Sequence, residues 1–123
     1  MKPARERRRA PRISERVSVA IRQATAEEFR TETANLSTAG AYCTLNHSIA
    51  PMTRLRLELE LPHGSRPVRV RCAGVVVRVE PVITNPERGR YQVAIFFTQM
   101  SERDRSAIAR FVRQRLSASP STH

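Results

Sequence analysis

Hydrophobic and polar residues alternate through most of the chain with the two-residue period of strands that bury one face. Val17, Val19 and Ile21 interleave with Arg16, Ser18, Ala20 and Arg22, which predicts a strand from Ile13 onward. Phe29 to Thr33 is a weaker, polar strand candidate, with Glu27-Glu28 expected to cap the hairpin before it. A polar, Gly-ended loop, Asn35-Leu36-Ser37-Thr38-Ala39-Gly40, leads into a further strand, Ala41 to Leu45. The clearest element is Arg54 to Leu61: Leu55, Leu57, Leu59 and Leu61 face one way, Arg54, Arg56, Glu58 and Glu60 the other. Pro62-His63-Gly64-Ser65 ends it as a turn. Val68 to Val79 reads as one bent strand with Gly74 as a bulge or corner. Pro81 to Gly89 is a loop, and Tyr91 to Phe97 is the last strand. Six or seven short antiparallel strands of this kind predict a mainly β barrel or sandwich.

The period then changes. Ser101-Glu102-Arg103-Asp104 has the form of a capping box, and Ile108, Phe111, Val112 and Leu116 follow as one stripe at helical spacing. This C-terminal helix is expected to lie across one opening or edge of the sheet. Residues 117–123 are expected to be disordered, and residues 1–12, which lack apolar periodicity, to form a flexible arm ahead of a single domain at 13–116.

Charge sharpens that division. The chain has 123 residues, with 22 Lys+Arg against 11 Asp+Glu. Lys2 is the only lysine, so the basic groups are almost all guanidiniums, which grip phosphate through paired hydrogen bonds and stack on flat rings. Lys2, Arg5, Arg7, Arg8, Arg9 and Arg12 face only Glu6 within residues 1–12. Hydrophobic residues, at 40%, suffice for one modest core. No apolar run approaches the roughly 18–20 residues of a membrane span, and no apolar segment of a signal peptide follows the basic start. Cys43 and Cys72 have no partner at metal spacing, so a disulfide framework and a zinc module both lack support. The expected location is the cytoplasm.

Catalytic material is sparse. The only aspartate, Asp104, sits in the helix cap, and Glu58 and Glu60 face solvent among arginines. His47, His63 and His123 lie in turns or at the terminus, and neither Ser37 nor Cys43 has a local base. The sequence reads as a binder, not an enzyme, with no cofactor or metal required.

Two segments carry ligand chemistry. Glu6-Arg7-Arg8-Arg9-Ala10-Pro11-Arg12 holds Arg8 and Arg12 at RxxxR spacing, and Asn35 to Gly40 is an NxSxxG loop. An extended arm can wrap two guanidiniums around an anion while an amide, a hydroxyl and a glycine offer close contacts from the other side. Arg5 and Arg9 satisfy the same spacing. The Arg8/Arg12 register is preferred because the apolar pattern begins at Ile13.

The pair of motifs, in this order, resembles the PilZ domain family of bacterial cyclic di-GMP receptors. The resemblance runs from Glu6 to about Leu116 and includes the late strand Tyr91 to Phe97 and the Ser101 to Arg105 entry into the helix. It implies a small six-stranded antiparallel β-barrel with a C-terminal α-helix. It further implies that Arg8 and Arg12 take the phosphates and stack on guanine with Arg7 in support, and that Asn35, Ser37 and Gly40 contact guanine and phosphate. Ala94 stands where the family usually has glycine. The expected function is a cyclic di-GMP receptor whose arm orders on the ligand. With no output domain evident, it would signal through a separate downstream protein. The alternatives are nonspecific binding to nucleic acid or an anionic surface, and a PilZ-fold adaptor that takes no nucleotide.

Overall fold

The computed structural model describes residues 10–23, 28–82 and 89–118. Six strands follow in chain order: β1 Ser18–Gln23, β2 Glu28–Leu36, β3 Gly40–Leu45, β4 Arg54–Leu61, β5 Val68–Pro81 and β6 Tyr91–Met100. They pair antiparallel into a closed barrel in the order β1-β2-β3-β6-β5-β4, and α1, Glu102–Ala118, follows. Closure leaves no sheet edge with unpaired backbone, which a small sheet would otherwise expose. The six-stranded barrel with its C-terminal helix is the expected architecture.

Alternation fills the interior. Val19, Ile21, Leu55, Leu57, Leu59, Leu61, Val70 and Val76 are all buried. Ile108, Phe111 and Val112 of α1 join the same core, packed over the barrel beside β5. The fourth residue expected on that stripe, Leu116, is 48% exposed: it lies a turn beyond the contact with the barrel. Ser101 caps the helix as expected, its Oγ accepting from the Asp104 amide at 3.0 Å. The Asp104 carboxylate in turn accepts from the Arg71 amide of β5 at 3.1 Å. The helix runs past Leu116 to Ala118.

Several boundaries differ from the sequence expectation. The first strand starts at Ser18, not at Ile13. Ile13 instead forms an isolated bridge to Leu36, and the chain between runs beside β2. Thr33, buried, holds it there: its Oγ1 donates to the Glu15 carbonyl at 2.9 Å and accepts from the Val17 amide at 3.1 Å. Strand β2 extends through Asn35 and Leu36, so the polar loop shrinks to Ser37–Ala39. Gly74 does sit at a register shift against β6, as the bend in the long strand predicts. The Glu27 end of the expected hairpin cap, most of the Pro81–Gly89 loop and residues 119–123 lie outside the described residues. No helix among the described residues is long and apolar enough to cross a membrane.

Candidate functional site

The site begins with a backbone bridge. Ile13 N donates to Leu36 O at 2.9 Å, and Leu36 N donates back to Ile13 O at 2.8 Å. This pair of hydrogen bonds, buried with the Ile13 and Leu36 side chains, fixes the residue just before it against β2. Arg12 therefore stands beside Asn35, and its Nη1 donates to Asn35 Oδ1 at 2.6 Å. The same guanidinium lies 5.3 Å from the centroid of the Tyr42 ring, in cation–π range.

Asn35 points outward because β2 carries an extra residue. Thr33 pairs with Cys43 and Asn35 with Tyr42, so Ala34 is a bulge. Without it, strict alternation from the buried Thr33 would turn Asn35 into the core. With it, Asn35 joins Tyr42 on the outer face while Leu36 remains fully buried.

The turn that follows is held by its own polar groups. Ser37 is fully buried, and its Oγ accepts from the amides of Ala39 at 3.0 Å and Gly40 at 3.3 Å. The Ser37 amide donates to the Gly40 carbonyl at 2.9 Å, and the Phe97 amide to the Ala39 carbonyl at 2.9 Å. From α1, Arg105 Nη1 donates to the Thr38 carbonyl at 3.0 Å. Gly40 is required by close approach: a Cβ there would lie 2.2 Å from the Ile95 carbonyl oxygen on β6. The structure thus joins Arg12 and Asn35 directly and uses Ser37 and Gly40 to shape the turn between them. Arg7 and Arg8, with the alternative Arg5 and Arg9, lie outside the described residues.

Two residues gain importance only in three dimensions. Tyr42, opposite Asn35, also accepts at its hydroxyl from Arg78 Nη2 at 3.4 Å. Arg78 is one of many arginines, and no local pattern singles it out; only the pairing of β5 with β6 brings it to this face. A groove of about 550 Å³ lies elsewhere, bordered by Arg22, Arg56 and Arg71 of β1, β4 and β5. It holds none of the motif residues, and Glu28 and Glu58 already pair with Arg22 and Arg71. The chemistry therefore concentrates where the two motifs meet.

The two cysteines are ill suited to reaction. Burial pushes the Cys43 thiol up to about 12. Cys72 is likewise pushed up to about 12, chiefly by burial, with the Asp104 carboxylate adding to the shift and Arg105 opposing it. A nucleophilic thiol needs the opposite displacement.

Known structures share this fold. The inhibitor of motility MotI/DgrA of Bacillus subtilis superposes with a TM-score of 0.81 at 22% identity, over 93% of this chain and 53% of that one. MrkH of K. pneumonia in its apo state gives 0.73 at 14% identity, over 91% and 51%. The PilZ domain of YcgR from Escherichia coli, solved with c-di-GMP, gives 0.67 at 14% identity, over 94% and 99%. The chain spans about half the length of the MotI and MrkH chains. No curated protein matches the sequence. The family model for the PilZ domain matches residues 6–114, nearly the whole chain, and the chain belongs to the PilZ domain family.

Proposed function

We propose that the protein is a cyclic di-GMP receptor that acts by binding, without catalysis. The observation that carries this reading is the contact of Arg12 with both Asn35 and Tyr42, which joins the arginine motif to the NxSxxG segment on one outer face. Membership of the PilZ family supports it, as does the presence of c-di-GMP in the structures of related-fold proteins such as YcgR and MrkH. Arg8 and Arg12 take the phosphates and stack on guanine, and Arg7 supports them. Asn35 meets the base edge. Ser37 and Gly40 contribute by holding the turn close to the ligand. A ligand with two phosphates neutralises the arginine-rich segment and gives its guanidiniums planes to stack on, so the arm orders over Asn35–Gly40. The surface so formed from arm, ligand and barrel rim is what a downstream protein recognises.

Calorimetric titration tests the ligand. Cyclic di-GMP is expected to saturate the protein at micromolar concentration, GMP and GTP to bind much more weakly, and a random oligonucleotide to bind only at low salt. Absence of saturation by cyclic di-GMP at ~100 µM, equivalent to about −5.5 kcal/mol, overturns the reading. Hydrogen exchange tests the ordering: protection should rise mainly at residues 5–13 and 35–40. If the change centres on α1, the mechanism is wrong even if the ligand is right.

A further inference from the structure

The outer row that starts at Asn35 continues past Tyr42. In register, Asn35, Tyr42, Ala94 and Arg78 lie side by side on β2, β3, β6 and β5. At the ordinary spacing of neighbouring strands this row is about 14 Å long. Arg78 reaches it through a bulge: Val76 pairs with Ile95 and Arg78 with Ala94, so Val77 is an extra residue, and both Val77 and Arg78 face solvent.

Two exposed apolar side chains lie near Arg78 in the register of β5 and β6. Val77 is 52% exposed and Phe96 51%. Phe96 lies two residues along β6 from Ala94, about 7 Å, and on the same outer face. It sits opposite Gly40, whose missing side chain leaves the ring uncovered on that side. Arg78 also pairs with the Glu80 carboxylate at 3.5 Å, and both side chains of that pair are more than half exposed, so the pair exchanges at little cost.

We propose that Arg78, Val77 and Phe96 form a guanine-reading subsite, taking the second base of a cyclic dinucleotide while Arg12 and the turn take the first. The proposal rests on the cyclic di-GMP reading above. A buried base needs a flat apolar surface beneath its ring and directed donors at its edge. Phe96 and Val77 supply the surface. The paired N–H groups of Arg78 match the O6 and N7 acceptors of guanine, whereas adenine presents an amino donor in place of O6. Ala94, small and 7% exposed, lies between Tyr42 and Arg78 in register, and the 3.4 Å contact of Arg78 with the Tyr42 hydroxyl gives way when the guanidinium turns to the base.

Titrating the full chain with cyclic di-GMP and with the mixed cyclic dinucleotide of one guanine and one adenine tests this directly. The unaltered protein should prefer cyclic di-GMP by roughly tenfold or more. Arg78→Ala should lose about that factor for cyclic di-GMP and bind both compounds alike. Arg78→Lys should not restore the preference, since an ammonium lacks the planar fork. Phe96→Ala should weaken both compounds, and Phe96→Leu, which retains apolar volume, should recover only part of the loss. Both side chains are exposed, so unchanged melting temperatures should accompany these effects. If Arg78→Ala binds cyclic di-GMP as tightly as the unaltered protein and keeps the preference, the subsite is wrong and the receptor reading stands. An unaltered protein that binds neither compound overturns both.

Discussion

Arg105 on α1 donates to the carbonyl of Thr38, 67 residues earlier in the chain, at 3.0 Å. The contact ties the first turn of the helix to the turn that carries Ser37 and Gly40. Thr38 otherwise has a carbonyl at the tip of a tight turn, where strand pairing has ended. Arg105→Ala should therefore loosen the turn without unfolding the barrel, at about 1 kcal/mol of stability. Amide exchange in the ligand-free protein should quicken at Ala39, Gly40 and Phe97, whose bonds define the turn. Unchanged exchange at these amides would show that Ser37 alone holds it.

Gly40→Ala should damage the fold before it damages any ligand contact. The new methyl would meet the Ile95 carbonyl oxygen at 2.2 Å, and a backbone atom in a closed barrel has little room to retreat. Strain of this kind costs about 1–3 kcal/mol, and β3 and β6 should separate locally. A urea melt should show a lowered midpoint whether or not nucleotide is present. A variant with unaltered stability but no binding would assign Gly40 to the ligand instead.

The barrel was legible because apolar and polar residues alternate cleanly in strands such as Leu55 to Leu61, and because Ser101 and Asp104 mark the helix start. Less of the site was. Arg12 and Asn35 can be picked out by their motifs, yet their contact depends on the Ile13–Leu36 bridge and on the bulge at Ala34, and neither has a local signature. Ser37 reads from sequence as a polar loop residue open to ligand. It is buried, because hydroxyls that accept from nearby amides can replace strand pairing at a turn. Arg78 was invisible: its place beside Tyr42 is set by strand order and by a bulge, both products of closing the barrel.

Alkaline pH should destabilise the protein through its thiols. In the unfolded chain a thiol ionises near 9.0, but in the folded barrel burial holds Cys43 protonated to about 12. Below pH ~9 the thiol is protonated in both states and stability is independent of it. Between ~9 and ~12 the unfolded state alone releases the proton, so stability falls as pH rises, by about 1.4 kcal/mol per pH unit. Urea melts at pH 8, 9 and 10 check this against Cys43→Ala, which removes this thiol and leaves the other ionisable groups in place. The variant should be less stable at pH 8 but show a shallower decline. Parallel declines would remove Cys43 from the explanation.

The last prediction separates ligand contacts from fold in the arginine motif. Arg12 is exposed, and its bonds go to Asn35 and Tyr42 on the outer surface, so Arg12→Ala should leave the melting temperature nearly unchanged. Its effect on cyclic di-GMP should be large, because a charge-assisted contact of this type contributes roughly 1.5–3 kcal/mol, or about 10- to 150-fold in affinity. The Ile13–Leu36 bridge holds Arg12 where it can act as the second arginine of the motif, and the RxxxR spacing then makes Arg8 the first. Arg8→Ala should accordingly match Arg12→Ala, with Arg5→Ala near neutral. Calorimetry on the three variants decides it. Equal losses across all three would mean that the segment acts as diffuse charge; such losses should shrink steeply with added salt, whereas a paired, stacked site should retain most of its selectivity for Arg8 and Arg12 at 0.5 M salt, where the screening length has fallen to about 4 Å.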